Sequence, residues 1–288
     1  MPARVKSTTR LFADDSLLYR KIKSPADTKA LQEDLNALQE WEQTWKMEFN
    51  PSKCEVLHIT RKRNPTLATY SIHGQQLTTV TTGKYLGVTF AGDLSWKAHV
   101  DARTKSANCS LAFLRRNLSS CPKDIKLQCY KSLVRPVLDY AAAAWDPHTQ
   151  TCISQLEAVQ RRAARFITGN YRTTSSTSQM IADLGLPSLE LRRQHSKLMM
   201  MHRITYGLVD IPDNLHLRQS TTSTRGHGLE DMDGAVVRYW IPYCRTDIYR
   251  HSFFISGARL WNQLPKSMTL LQTPESLRKG LAGHTFKH

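Results

Sequence analysis

Two adjacent carboxylates near the start of the chain are the residues best suited to chemistry. They are Asp14 and Asp15, and short apolar runs lie on both sides of them. A tight hairpin can hold neighbouring carboxylates beside a pair of magnesium ions, an arrangement used for in-line phosphoryl transfer. Aspartate is also a common turn former, so the same two residues can simply shape a solvated β-turn. The pair by itself leaves both interpretations open.

The surrounding pattern predicts the elements that position these carboxylates. Residues 10–13 and 16–19 are typical of two short strands that meet at the acidic pair. Ser24 followed by Pro25 predicts the start of a helix, whose apolar residues recur to about Glu48. An α+β block is then completed by a strand at 54–60, a hairpin at 70–80 that turns at His73-Gly74, and a strand at 85–90.

Three motifs carry a family resemblance. The run Leu-Phe-Ala-Asp-Asp-Ser-Leu-Leu-Tyr at 11–19 resembles the active-site hairpin, motif C, of the reverse transcriptases of non-LTR retrotransposons, the LINE and jockey-like group. Phe-Asn-Pro-Ser-Lys-Cys-Glu at 49–55 is similar to the family's motif D, and Tyr-Leu-Gly-Val at 85–88 is similar to its motif E. The motifs follow the family's order and spacing. Similar segments continue at 135–140, 160–165 and 256–265, so the resemblance covers most of the chain.

The resemblance implies roles for five residues. It assigns Asp14 as a ligand of Mg²⁺ and Asp15 as its weaker partner. It places Lys53 near the triphosphate of the incoming nucleotide, where an ammonium group can neutralise or protonate the leaving pyrophosphate. It also likens Tyr85 and Gly87 to the primer grip. Lys53 can equally be a solvated turn residue, and Gly87 can equally mark a strand bulge.

The sequence departs from the family pattern before the first motif. Family polymerases need fingers, a motif A aspartate and a motif B glycine ahead of motif C, and eleven residues precede Phe12. We therefore expect these residues alone to be inactive as a polymerase. No later acid is expected to replace the motif A carboxylate. The acids of the predicted helix are interpreted as its exposed face: Asp27, Glu33, Asp34, Glu40 and Glu42.

The charge of the chain favours a polyanionic partner. Lys and Arg number 40 against 24 Asp and Glu, a formal charge of +16. Counterion release and electrostatic steering make nucleic acid the leading candidate. Residues 1–60 hold nine residues of each sign, so the excess lies downstream, and residues 95–172 hold 13 basic residues against 5 acidic ones.

The basic segment is predicted to be helical. Ser95 and Pro122 open helices, further helices are expected at 136–145 and 153–168, and Gly169 stops the last of them. The segment resembles a polymerase thumb, which holds the primer–template backbone without reading its sequence. The predicted phosphate contacts are Arg115, Arg116, Arg161, Arg162 and Arg165. Arg161 and Arg165 share a helical face while Phe166 and Ile167 point inward. Solvated surface is the alternative for any single arginine.

Several classes of site are not indicated. The six cysteines are scattered without a C-x-x-C pair, so neither a disulfide scaffold nor a zinc ribbon is predicted. The apolar runs are short, and no signal peptide or membrane span is expected. An intracellular setting, nuclear or cytoplasmic, fits best. The tryptophans Trp96, Trp145 and Trp261 are predicted to be core residues rather than base-stacking platforms.

The predicted fold class is α+β, a partial polymerase palm followed by a helical, thumb-like region and a mixed carboxyl-terminal segment. The predicted divisions are 1–92, 93–172, a helical extension at 173–207, a linker at 208–234 and a final segment at 235–288. The predicted function is a fragment of an RNA-directed DNA polymerase, with RNA template, DNA primer and deoxynucleoside triphosphates as partners of the complete enzyme. The alternatives are a non-catalytic nucleic-acid-binding protein derived from a retrotransposon, and a folded relic.

Overall fold

The computed structural model describes residues 5–211, 217, 237–284 and 286 of the 288-residue chain. The fold is α+β, mostly helical with small sheets, as the sequence predicts. The described residues form two compact units, one within 1–99 and the other within 100–288. The palm-like and thumb-like roles of the predicted divisions stay predictions. Most of the predicted linker, 208–234, lies outside the described residues.

The eight described strands of the first unit pair two by two. The pairs β1–β2, β4–β5 and β7–β8 are antiparallel, and β3–β6 is parallel. Their bounds are β1 Thr8–Phe12, β2 Asp15–Tyr19, β3 Glu55–Leu57, β4 Ser71–Ile72, β5 Gln75–Gln76, β6 Thr78–Val80, β7 Thr82–Tyr85 and β8 Val88–Ala91. Because each sheet has only two strands, the unit depends on its helix for much of its core.

That helix, α1, spans Pro25–Trp45 and begins where the sequence predicts. The backbone N–H of Ser24 donates to the Asp27 carboxylate at 3.0 Å, which is one half of a capping box, and Pro25 supplies a backbone angle suited to the first helical position. The helix ends earlier than predicted because Lys46 takes a left-handed conformation, with φ of 54°. Its apolar face packs on a small core made by Tyr70, Ile72 and Leu77 together with Leu31 and Leu35.

Two of the predicted strand assignments need adjustment. The turn at His73-Gly74 is confirmed, since both residues have positive φ, 53° and 72°, as a type I′ turn requires. The hairpin is shorter than predicted, however, because β6 leaves it to pair with β3. The strand predicted at 54–60 is reduced to the three residues of β3.

The remaining helices are α2 to α11. Their bounds are α2 Lys97–Asn117, α3 Lys123–Cys129, α4 Arg135–Asp139, α5 Gln150–Thr168, α6 Thr177–Asp183, α7 Leu189–Thr205, α8 Asp247–Arg250, α9 Phe253–Gln263, α10 Lys266–Thr269 and α11 Pro274–Leu281. Gly169 ends α5 with φ of 67°, as predicted.

The helix predicted at 136–145 starts within one residue of its predicted position, at Arg135, but its predicted end is wrong. A π-helical turn, Tyr130–Val134, joins α3 to α4, so the chain stays helical across Pro136. Proline has no N–H to donate to the preceding turn, and the wider π turn accommodates that missing bond. The helix then stops at Asp139, since Ala141 has a φ of 53°.

The second unit has a deep core. Trp145 and Trp261 are fully buried, as predicted, and Trp96 is half-buried. The indole N–H of Trp261 donates to the carbonyl of Val237 at 3.0 Å, so burial leaves this polar group satisfied. Trp145 and Trp261 therefore serve packing in the second unit, to which Trp96 does not belong.

A buried ion-pair network joins α7 to the loop after α4 and to α9. Asp146 pairs with Arg193 at 3.0 Å and with Lys197 at 2.8 Å, and Lys197 also donates to the hydroxyl of Ser256 at 2.8 Å. The side chains of Arg193 and Lys197 are only 1% and 3% exposed. Such cations depend on their carboxylate partner because water cannot replace it.

Candidate functional site

The acidic pair lies at the tip of a two-residue hairpin turn. Strands β1 and β2 pair in register from Thr8 and Tyr19 to Phe12 and Asp15, so the turn itself consists of Ala13 and Asp14. Ala13 has a φ of 51°, a conformation that costs energy for any residue other than glycine. The hairpin thus fixes Asp14 and Asp15 side by side, as the sequence predicts.

Both carboxylates are exposed and unpaired in the part of the chain that the structure describes. Hard carboxylate oxygens are the ligands that Mg²⁺ prefers, but Mg²⁺ normally gains further ligands from the protein or from substrate phosphates. No group of three or more His, Cys, Asp or Glu side chains able to hold a metal ion occurs among the described residues. Two carboxylates alone are fewer ligands than Mg²⁺ normally takes, so among the described residues they do not make a complete metal site.

A buried carboxylate of α1 anchors the start of this hairpin. The carboxylate oxygens of Asp34 accept the backbone N–H groups of Lys6 and Ser7, each at 2.8 Å, and Arg20 lies 3.9 Å away. Burial alone would raise the pKa of the Asp34 carboxyl. The hydrogen bonds from Ser7 and Lys6 and the charge of Arg20 outweigh burial and hold that pKa below its ordinary value.

A second buried carboxylate of the same helix holds the loop before Lys53. Glu42 accepts the backbone N–H of Phe49 and pairs with the imidazole of His73 at 2.9 Å. The prediction that the acids of α1 form its exposed face is therefore wrong for Asp34 and Glu42, although Glu33 and Glu40 are exposed. Helical spacing could not reveal these two because their partners lie in other elements.

Lys53 lies at the end of a short 3₁₀ helix, Pro51–Lys53. The side chain of Asn50 caps this turn by accepting the backbone N–H of Ser52 at 3.0 Å and its hydroxyl at 2.6 Å. The Lys53 side chain is exposed. The sequence Asn-Pro-Ser-Lys thus makes a rigid turn that presents one ammonium group to solvent.

Tyr85 and Gly87 do not lie on one strand: Tyr85 ends β7, and Gly87 is in the turn that follows it. The strand predicted at 85–90 is wrong, because Leu86 and Gly87 have positive φ, 46° and 79°, and connect β7 to β8. Gly87 has no side chain and takes this conformation without steric cost. Leu86 takes a similar conformation, but its side chain makes it costly. Tyr85, at the end of β7, is directly paired with Val88 at the start of β8. Gly87 therefore marks a hairpin turn and not a bulge.

In the second unit, two of the predicted arginines line a cavity. Arg115 and Arg116 lie in the last turn of α2, at the edge of a cavity of about 590 Å³ that also borders α3 and the end of α5. Its lining residues are Ala112, Arg115, Arg116, Ser119, Lys126, Phe166, Gly169 and Tyr171. Three of them are basic and none is acidic. We name this cavity the basic cleft.

The other three predicted arginines lie along α5, outside the basic cleft. Arg161 donates to the carbonyl of Ser154 at 3.2 Å, Arg162 to the side-chain carbonyl of Asn108 at 3.0 Å, and Arg165 to the carbonyl of Arg172 at 3.0 Å. All three acceptors are neutral, and none of the ion pairs found among the described residues involves these guanidinium groups. Phe166 and Ile167 are buried, as predicted.

Sequence reasoning missed Lys126 and Tyr171. The ammonium group of Lys126 lies 5.4 Å from the ring centre of Phe166, and the guanidinium of Arg115 lies 5.8 Å from that of Tyr171. An aromatic residue just after the glycine that ends α5 was the available signal. No local sequence pattern shows that α3 lies beside the ends of α2 and α5, so the position of Lys126 could not be predicted.

Comparison with known proteins confirms the predicted resemblance: the chain is similar to RNA-directed DNA polymerases of the jockey, X-element and BS non-LTR elements. The polymerase from mobile element jockey of Drosophila melanogaster is 28% identical over 201 residues, which is 67% of this chain and 21% of that relative. Its counterpart from Drosophila funebris is 29% identical over 164 residues, 55% of this chain and 18% of the relative.

The chain thus spans about a fifth of the length of these relatives. No family model and no solved structure matches it. Within residues 5–211 and 237–284, no helix combines the length and the apolar character needed to cross a bilayer.

Proposed function

We propose that this chain is part of the RNA-directed DNA polymerase of a non-LTR retrotransposon, with a palm-like region at 1–92 and a thumb-like region at 93–172. The similarity to polymerases over up to 67% of the chain carries the proposal. The position of Asp14 and Asp15 at a hairpin tip supports it, because this is where motif C carboxylates are expected.

In this proposal, Asp14 and Asp15 supply two carboxylate ligands to a magnesium site that is completed by groups outside the described residues. Mg²⁺ bound there would neutralise the charge of a nucleotide's phosphates. The chain's own contribution is to hold the two carboxylates in place. Asp34 fixes the start of the hairpin, and Glu42 fixes the loop that presents Lys53.

The helical region contributes binding to nucleic acid. Six of its basic residues lie in the basic cleft or along α5, and none of the ion pairs among the described residues involves Arg115, Arg116 or Lys126. Cations that the protein leaves uncompensated are available to phosphates. We propose an RNA template, a DNA primer or their duplex as the partner.

A chimera tests the polymerase proposal. The matching region of the Drosophila melanogaster jockey polymerase would be replaced by this chain, and primer extension on an RNA template would be measured with Mg²⁺. We expect nucleotide incorporation that Asp14→Asn abolishes and that the exposed-site control Glu33→Gln retains. Incorporation that survives Asp14→Asn, from a folded chimera, would contradict the assigned role of the hairpin.

A non-catalytic nucleic-acid-binding protein is the second candidate. The cluster of three basic side chains in the basic cleft, with no acid in its lining, favours it. Primer extension by the 288-residue chain itself can exclude the non-catalytic candidate. Incorporation lost in Asp14→Ala would exclude the second candidate, whereas tight nucleic-acid binding without incorporation is what we expect of this segment.

A further inference from the structure

We propose that the basic cleft holds one unpaired nucleotide of a single-stranded nucleic acid, with its phosphate on Arg115, Arg116 and Lys126 and its base against Tyr171. The inference rests on the nucleic-acid-binding part of the proposed function. It goes further by naming a nucleotide-sized subsite and by predicting a preference for unpaired bases.

The size of the cleft fits a single nucleotide. Its volume of about 590 Å³ lies within the roughly 300–1,000 Å³ of cavities that take small ligands. A duplex presents a broad charged rod whose bases are stacked inside it, so it can touch the rim of such a cavity without filling it. An unstacked nucleotide can place both its phosphate and its base inside.

The charges of the cleft define where the phosphate would lie. Arg115 and Arg116 approach from the end of α2 and Lys126 from α3, and no acidic side chain lines the cavity. None of these three cations takes part in an ion pair among the described residues. Charge-assisted hydrogen bonds from guanidinium groups suit phosphate oxygens particularly well. The hydroxyl of Ser119 adds a further donor to the lining.

The aromatic residues define where the base would lie. Tyr171 is 53% exposed although it borders the cavity, and the Arg115 guanidinium lies 5.8 Å from its ring centre. Proteins that hold single strands stack bases on exposed aromatic rings and on guanidinium planes. Phe166, in contrast, is only 3% exposed and forms the apolar floor. A paired base cannot reach Tyr171 without leaving its stack.

Fluorescence anisotropy on the full chain tests the inference. The probes are a labelled single-stranded DNA of mixed sequence and the blunt duplex of the same sequence. Tyr171→Ala is expected to weaken single-strand binding by roughly 10-fold or more, because stacking on one aromatic ring contributes that much. Duplex binding should be unchanged. Tyr171→Phe keeps the ring and should bind like the wild-type chain.

Charge variants separate the cleft from general attraction. Lys126→Gln should weaken single-strand binding more than Lys105→Gln, which removes the same charge from an exposed position of α2 outside the lining. Circular dichroism of each variant confirms folding. Because Tyr171 and Lys105 are exposed, their substitution should not disturb the core.

A crosslinking experiment locates the bound base directly. A single strand that carries 5-iodouracil should crosslink to Tyr171, and the adduct would be mapped by mass spectrometry. Equal effects of Tyr171→Ala on single strand and duplex, or on neither, would overturn the inference and leave the proposed function intact. Failure of the chain to bind either nucleic acid would overturn both.

Discussion

The two compact units differ in how far their apolar side chains are exposed to solvent. In the first unit, the hairpin that carries Asp14 and Asp15 leaves its apolar side chains open, with Phe12 62% and Leu11 48% exposed. In the second unit, Trp145 and Trp261 are fully buried. The motif that resembles a catalytic site therefore stands on the less covered region, and the cations proposed to bind nucleic acid stand on a well-packed one.

The acidic side chains of the two units also differ in the partners that they have. In the second unit, Asp146 and Asp139 pair with cations. In the first, Asp34 and Glu42 accept backbone N–H groups and also lie beside Arg20 and His73, while Asp14 and Asp15 have no partner among the described residues. Partners, rather than residue type, therefore separate acids that hold the fold from acids that are free to take part in chemistry.

Removal of the Asp146 carboxylate from the buried ion-pair network should have the largest effect on stability. Asp146→Asn leaves Arg193 and Lys197 buried without a counter-charge, and we expect a loss of about 3–5 kcal/mol in the free energy of unfolding. Urea unfolding followed by circular dichroism measures it. Asp139→Asn is the control, since its partners Arg192 and Arg135 are 30% and 22% exposed and a smaller loss is expected. Equal losses in both variants would contradict the buried-network interpretation.

Overpacking tests the weaker core of the first unit. A Cβ at position 92 would lie 2.7 Å from the backbone carbonyl oxygen of His58, so Gly92→Ala forces the chain to shift. We expect the first unit to lose about 1–3 kcal/mol. Gly283→Ala, where a Cβ meets nothing within 4 Å, is the matched control. Hydrogen exchange resolves the two units, and unchanged protection of the first unit in Gly92→Ala would count against the observed packing.

Low pH should weaken the hydrogen bonds by which Asp34 holds the start of the hairpin. The pKa of Asp34 is below its ordinary value of 3.8 in the folded chain, so its stabilising contribution is present above 3.8 and is lost as the pH falls through the folded pKa. Amide protection factors across residues 5–20, which correct for the slower intrinsic exchange in acid, should therefore fall at low pH. Asp34→Asn should show quicker exchange at neutral pH and a flatter response to acid, and an unaltered acid response would contradict the anchor.

The acids of the hairpin tip should matter least for stability. Asp14→Asn and Asp15→Asn remove exposed, unpaired charges, so each should change the free energy of unfolding by no more than about 0.5 kcal/mol. Binding of Mn²⁺ to the wild-type chain should be weak, because two carboxylates leave the ion largely hydrated. Isothermal titration that showed tight binding, lost in Asp14→Ala, would require a third ligand.

Local signals predicted much of this fold. The capping residues of α1, the type I′ turn at His73-Gly74 and the glycine that ends α5 act through bonds within a few residues, so the sequence indicates them directly. The hairpin with its acidic tip is of the same kind. Family motifs then gave the resemblance that the comparisons confirm.

The parts that could not be predicted depend on distant partners or unusual backbone. Leu86 adopts a positive φ that its side chain disfavours, so its run looked like a continuous strand. Asp34 is buried by contacts with Lys6 and Ser7, 27 or more residues away, and helical spacing alone favours exposure. Lys126 reaches the basic cleft only through the packing of three helices.

The salt dependence of binding tests whether the helical region binds nucleic acid through its phosphates. Affinity for a duplex DNA would be measured by fluorescence anisotropy over a series of salt concentrations. The triple variant Arg161→Gln, Arg162→Gln, Arg165→Gln should flatten the slope of log K against log salt by up to roughly three units. The control replaces three exposed lysines of the first unit, Lys21, Lys23 and Lys29, with Gln and should leave the slope nearly unchanged. An unchanged slope in the arginine variant, or strong preference for one base sequence, would contradict the account.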